Sequence, residues 1–199
     1  MIKNNIIKNS ISFFLYILVF ILPINSQNAR EILIYADEIL YDKDKNLIGK
    51  GKAKILYKNQ IINSDLIIYN KNSKIITIPK KFKYKDEQNN LFFGTEGFFD
   101  SNFENGSIKN VKILLNDGSR IVGNKFQRED SIDIISKGVY SPCSSRIKIA
   151  NFICPTWQLE GEKILHDNKN LLLYQKHSKM RVLNIPVLFT IYSHPITLT

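Results

Sequence analysis

Alanine is scarce in this sequence, and the apolar spacing that would mark an amphipathic helix does not occur beyond the N-terminal stretch. That absence argues against a helical domain. Acidic residues are in deficit: 28 Lys and Arg stand against 18 Asp and Glu, a formal charge of +10. The lysines are scattered singly along alternating stretches rather than clustered. They read as a solvated face, or as attraction to an anion such as a lipid phosphate, and not as a nucleic-acid site. The three histidines, His166, His177 and His194, are far apart and lack an HxxxH spacing. With no Gly-Ser-Gly elbow and no phosphate loop, nothing in the chain points to catalysis, and no cofactor is implied. Asp37, Asp65 and Glu96 read as structural acids near turns. Long apolar runs are missing too, apart from one at the N-terminus.

That run, "ISFFLYILVFILPI" at 11–24, follows Lys3 and Lys8 and precedes Ser26, a small residue suited to cleavage. It is shorter than the roughly 20 residues of a membrane-spanning helix, so residues 1–26 read as a secretory signal peptide. Export would place Cys143 and Cys154, the only cysteines, in an oxidising compartment. They could close one local loop or each bond elsewhere; without neighbouring His ligands they make a poor zinc site.

What the chain has is alternation. In "GKGKAKILYK", Gly49, Gly51, Ala53, Ile55 and Tyr57 share one face, and Lys50, Lys52, Lys54 and Lys58 the other. "PKKFKYK" repeats the device with Phe82 and Tyr84. Such strands wet one face and bury the other. Turn signals separate them at short intervals: "YDKDKN", "YNKNSK", Asn105-Gly106 and Asp117-Gly118. The expected fold class is all-β.

The strands also repeat. "ADEILYDK" at 36–43 returns as "SDLIIYNK" at 64–71, and Asp37, Asp65, Thr95 and Asn124 follow one another at steps of about 29 residues, each after a small residue. A unit of that length holds two strands and two turns and cannot bury its apolar face alone, so units must stack, leaving strand edges at both ends. Ile39 and Tyr41, Ile55 and Tyr57, Ile67 and Tyr69, and Phe82 and Tyr84 are the inward-facing candidates. On residue pattern alone they fit a filled core. The first strand, with Ile32, Ile34 and Ala36, is the candidate docking edge. Trp157 is expected to be a packing anchor.

The stretch "YADEILYDKDKNLIGKGKAKILYKNQIINSDLIIYN" resembles the OstA-like repeat of the lipopolysaccharide transport proteins, a family that includes LptA, LptC and the N-terminal domain of LptD. "GSIKNVKILLNDGSRIVGNKFQR", "GVYSPC", "CPTWQLEGEKILHD" and "NIPVLFTIYSHP" are similar to the run that leads to the outer-membrane barrel of LptD. The resemblance covers about 30–195. It implies a twisted, open β-jellyroll of stacked repeats over 27–142, with 143–199 forming its end and the lead-in to a barrel that the chain lacks. It further implies a location at the periplasmic face of the outer membrane and an apolar trough, lined by the inward candidates, that receives acyl chains. The implied partners are lipopolysaccharide, an LptA-like bridge protein docked edge to edge, and an LptE-like lipoprotein where a barrel exists. Disulfides would couple jellyroll to barrel, and Cys143 and Cys154 match the cysteine-bearing stretch with their pairing open. A free-standing LptA-like bridge and a structural β-solenoid with a dry core are the alternatives.

Overall fold

The computed structural model describes the backbone of residues 32–142, 146–149, 152–170, 172–192 and 196–197, with side chains except at 146–149, 152–155, 192 and 196–197. The expected signal peptide, Cys143, His194 and the side chain of Cys154 therefore lie outside the described residues. The described residues contain strands and no helix. The strands are β1 (Leu33–Tyr35), β2 (Glu38–Tyr41), β3 (Asn46–Tyr57), β4 (Gln60–Asn70), β5 (Ile75–Ile78), β6 (Phe82–Lys85), β7 (Leu91–Gly94), β8 (Glu96–Asp100) and β9 (Asn105–Leu114). They continue as β10 (Arg120–Glu129), β11 (Ile132–Ser141), β12 (Arg146–Ile149), β13 (Phe152–Pro155), β14 (Trp157–Asp167), β15 (Leu172–Val182), β16 (Ile185–Tyr192) and β17 (Ile196–Thr197). All but β12 and β13, which form a separate hairpin, belong to one 15-stranded antiparallel sheet.

Several short strands are two halves of one pass. β4 pairs with β5 near Ile68↔Thr77 and with β6 near Ile62↔Tyr84. β9 likewise pairs with β8 at Glu96↔Lys109 and with β7 at Phe92↔Ile113. Taking β1 with β2, β5 with β6, β7 with β8 and β16 with β17, the sheet is a meander whose order is β1-β3-β4-β5-β8-β9-β10-β11-β14-β15-β16, eleven passes in chain order. The sheet continues past residue 142 without a change of order.

Each pass bends near its middle. A strand normally alternates faces with period two, yet here the buried parity flips: Asp133 and Ile135 give way to Gly138 and Tyr140 in β11, and Leu173 and Gln175 to Ser178 in β15. The exposed residue at the flip takes a left-handed backbone: Lys52 (φ 44°), Asn110 (φ 51°), Lys137 (φ 49°) and His177 (φ 48°). An extra residue in one strand bends it and re-aims its side chains. The repeat positions sit on this line. Asp37 N–H donates to Gly51 O at 2.9 Å, and Thr95 N–H to Lys109 O at 3.0 Å; next to Asp65, Ser64 Oγ–H donates to Lys81 O at 3.1 Å. The repeat is thus one hairpin, and its recurring small-polar pair marks where that hairpin folds.

Folding along this line doubles the sheet into two layers with both end strands free on their outer sides among the described residues, an open β-jellyroll. The layers meet through aromatic rings: Phe82 on Phe99 at 6.2 Å between centroids, Tyr84 on Phe99 at 5.3 Å, Phe92 on Phe126 at 5.3 Å. A Cβ at Gly94 or Gly97 would stand 2.8 or 2.6 Å from the Phe82 ring, so both positions make room for it. One turn differs from expectation. Asn105-Gly106 opens β9 instead of closing a hairpin. The turn lies at 101–104, where the Asp100 carboxylate accepts from Glu104 N–H and Asn105 N–H and Phe103 is left-handed (φ 61°). Gly106 is needed for another purpose: the Phe99 ring covers it.

Candidate functional site

Cross-strand register places one inward residue per pass in a line across the layer that contains β1, β6, β7 and β16. The line runs Ile34, Ile55, Ile62, Tyr84, Phe92, Ile113 and on through Ile121, Tyr140, Leu159, Met180 and Leu188. Every member is apolar or aromatic. At the usual strand spacing this track is about 48 Å long. It is solid in the middle, where Ile55, Ile62, Tyr84 and Phe92 are buried to 1% exposure or less, and it surfaces at Leu188, 58% exposed.

The opposite layer has a matching line that begins Tyr41, Leu47, Tyr69, Ile76, Phe99, Gly106. It then turns polar at Arg128, Asp133 and His166 before Leu173. Arg128 makes a two-pronged ion pair with Asp133, at 2.7 and 2.9 Å, and lies over the Phe92 and Phe126 rings at 5.4 and 5.5 Å. His166 Nδ1 is 3.8 Å from the same carboxylate, and Asn168 Nδ2–H donates to it at 2.9 Å. Burial alone would raise the Asp133 pKa, but His166, Arg128 and Asn168 together hold it below the ordinary carboxylate value. Burial works against the Arg128 charge, but the Asp133 hydrogen bonds together with the attraction of Asp133, Tyr84 and Asp86 outweigh it, so the guanidinium is held more firmly charged than usual.

This network spans the two layers. Arg128 Nη1–H donates to Tyr84 OH at 3.4 Å, and Tyr84 in turn donates to Gln60 Oε1. Burial pushes the Tyr84 phenol well above its ordinary value. Nearby, Tyr57 OH donates to Asn102 Oδ1 at 3.4 Å, and the Phe103 ring stacks on Tyr84 at 5.5 Å. Together these groups close the seam between the two rows of turns. A surface cavity of ≈ 250 Å³ lies there, lined by Gln60, Asp86, Asn102, Phe103, Arg128 and Asn168 among others.

The trough candidates therefore fall into two groups. Ile55, Tyr57, Ile67, Phe82 and Tyr84 are packed in the core, and Tyr69 is half-buried against it. Ile39 and Tyr41 sit in inward-facing register, opposite Gly49 and Leu47, but are 44% and 66% exposed because β2 is the last strand of its layer. The docking candidates Ile32, Ile34 and Ala36 turn inward and are half-buried; the outward side chains on that strand are Leu33 and Tyr35. At the far end, β16 exposes Ile185, Val187, Leu188, Phe189 and Ile191 on both faces. Trp157 packs edge-on against Tyr140 at 6.3 Å. Sequence reasoning missed Arg128 and Asp133. Their signal was a charged residue at inward parity in two adjacent strands.

Among the described residues no group of three His, Cys, Asp or Glu could hold a metal ion, and no helix is long and apolar enough to cross a membrane. No protein-family model matches the sequence, and no curated protein does. Among solved structures the chain is similar to LptH, the LptA-homologous periplasmic component of the lipopolysaccharide transport device of Pseudomonas aeruginosa. The identity is 14%, over 63% of this chain and 93% of that one, with a TM-score of 0.46.

Proposed function

We propose that this protein is a periplasmic, non-enzymatic carrier in lipopolysaccharide transport. Acyl chains would lie between the two layers, and the end strands would dock onto neighbouring β-jellyrolls. The observation that supports it is the unbroken apolar line that crosses every pass and surfaces at the exposed apolar residues of the last long strand, β16. A lipid tail gains about 0.8 kcal/mol per buried CH₂, so a continuous track between two docking edges is the chemistry a carrier needs. The sequence resemblance to the OstA-like repeat supports the same reading. Within it we favour an LptD-like N-terminal domain, which brings an LptE-like lipoprotein and a barrel as partners, over a free-standing bridge.

Photocrosslinking tests the interior. A probe at Tyr41 or Tyr69, at the uncovered end, is expected to capture purified lipopolysaccharide more strongly than one at Tyr57. No adduct at any of the three would end the proposal. Docking is tested by Ile34→Pro, which removes a backbone donor and disfavours pairing at the edge. It should weaken binding to a partner jellyroll more than it lowers the unfolding midpoint; equal losses count against docking there.

A structural module with a dry core is the second reading, favoured by the close packing of Tyr84, Phe92 and Phe99 in mid-sheet. In that case lipopolysaccharide leaves the unfolding midpoint unchanged.

A further inference from the structure

The fold line has an outer side as well as an inner one, and strand register gathers lysines on it. Register aligns Lys109 with Lys125, Lys125 with Ser136, Ser136 with Lys163 and Lys163 with Lys176, across five consecutive passes. Residues directly opposite one another in a sheet share a face, and all four lysines are exposed. Like charges so placed repel and destabilise the sheet. Only part of this charge is answered locally: Glu96 reaches Lys109 at 3.1 Å, while Glu162 is engaged with His177. Acids share this side, with Asp65, Glu96, Glu160 and Glu162 in its grooves, and others sit in the turns, as at Asp42, Asp44, Glu104 and Asp130.

Exposed aromatic rings accompany the lysines. Three shallow grooves lie along the fold line, and each pairs a phenylalanine with lysines. The first, ≈ 620 Å³, holds Phe98 with Lys109 and Lys125. The second, ≈ 480 Å³, holds Phe93 with Lys52 and Lys83, whose ammonium stands 5.9 Å from the ring centre. The third, ≈ 410 Å³, holds Phe189 with Lys137 and Lys179, balanced there by Glu160 and Glu162. Phe98, Phe93 and Phe189 are all among the exposed large apolar residues. Cations that meet phosphates beside rings that settle at the boundary of headgroup and acyl chain are what an anionic lipid surface selects.

We propose that the outer side of the fold line is a docking surface for an anionic membrane leaflet, with Lys109, Lys125, Lys163 and Lys176 contacting lipid phosphates and the exposed phenylalanines seated among the headgroups. This surface is separate from the acyl-chain interior and does not depend on it. Among the described residues, neither end strand is covered when the fold line faces a leaflet, because the fold line runs from one end strand to the other.

The test uses residues 27–199, without the expected signal peptide, and vesicles without lipopolysaccharide, so its outcome is independent of the transport reading. Cosedimentation is measured with phosphatidylcholine vesicles containing about a third phosphatidylglycerol, and with phosphatidylcholine alone. Binding is expected only to the anionic vesicles, weakening as salt rises. The variant K109Q/K125Q/K163Q/K176Q should lose about fivefold in affinity per lysine removed. A control, K43Q/K71Q/K74Q/K169Q, removes the same charge from the turns and should keep most of the binding. Circular dichroism and the unfolding midpoint establish that both variants fold. A variant that does not fold is replaced by F93S/F98S, which should weaken vesicle binding. The proposal is overturned by equal losses in the two lysine variants, by unchanged binding in the fold-line variant, or by equally tight binding to duplex DNA.

Discussion

At the scale of single residues, the Arg128–Asp133 pair carries a large energetic consequence. It is a buried ion pair, with side-chain exposures of 10% and 3%. Removing one member of such a pair leaves an uncompensated charge, at a cost of about 3–5 kcal/mol. Arg128→Met is expected to destabilise by that amount in urea unfolding, while R128M/D133L should recover much of the loss, because no charge is then stranded. Acid tells the same story. Asp133 has its folded pKa held below the ordinary 3.8, so its stabilisation is complete above that value and disappears as pH falls through the lower folded one. Burial raises Asp86, against its hydrogen bonds from Asn90; its contribution has the opposite sign, present at low pH and lost as pH rises through the raised value. Asp133→Asn should therefore flatten the steepest part of the acid limb, as read from the unfolding midpoint between about pH 2 and 5.

The element that decides the architecture is the bent pass. Lys52, Lys137 and His177 hold left-handed backbones at the bend, where L residues other than Gly, Asn and Asp are strained by about 1–2 kcal/mol. Lys137→Gly should be neutral or mildly stabilising, since glycine relieves that strain. Lys137→Val should cost about 1–3 kcal/mol by adding a β-branched side chain in the same conformation. Thermal unfolding of the two variants checks both signs. Strand alternation and the inward sets in β3 and β6 were legible in the sequence, because period two is a local property of the chain. The bend was not: a lysine in mid-strand carries no compositional mark of a left-handed conformation. Only the recurrence of Asp37, Asp65, Thr95 and Asn124 hinted that something happens there, without saying what.

On the scale of the whole molecule, the meander ends, among the described residues, on two different edges, β1 with β2 and β16 with β17. An association that joins unlike edges is head-to-tail, and it grows as an open series unless the rotation between copies closes a ring. Sedimentation is expected to show an open, concentration-dependent series, without a single dimer. F189K, which puts a charge on the exposed side of β16, should suppress that series. Its unfolding free energy should stay within about 0.5 kcal/mol of wild type, as befits a surface position. A change of oligomer size without a change of distribution would argue against edge pairing.

The sequence by itself determined that the chain is all-β, that its hairpins recur about every 29 residues, and which face of most strands is apolar. Each of these follows from short-range alternation and turn chemistry. Tertiary structure alone decided how those faces are used. Ile39 and Tyr41 carry the same inward pattern as Ile55 and Tyr57, yet they are uncovered, because coverage depends on having a neighbouring pass. Arg128 and Asp133 become partners only through the register of β10 with β11. The lysine row exists only because separate, singly placed lysines are brought level by strand pairing, a relation that no local stretch of sequence contains.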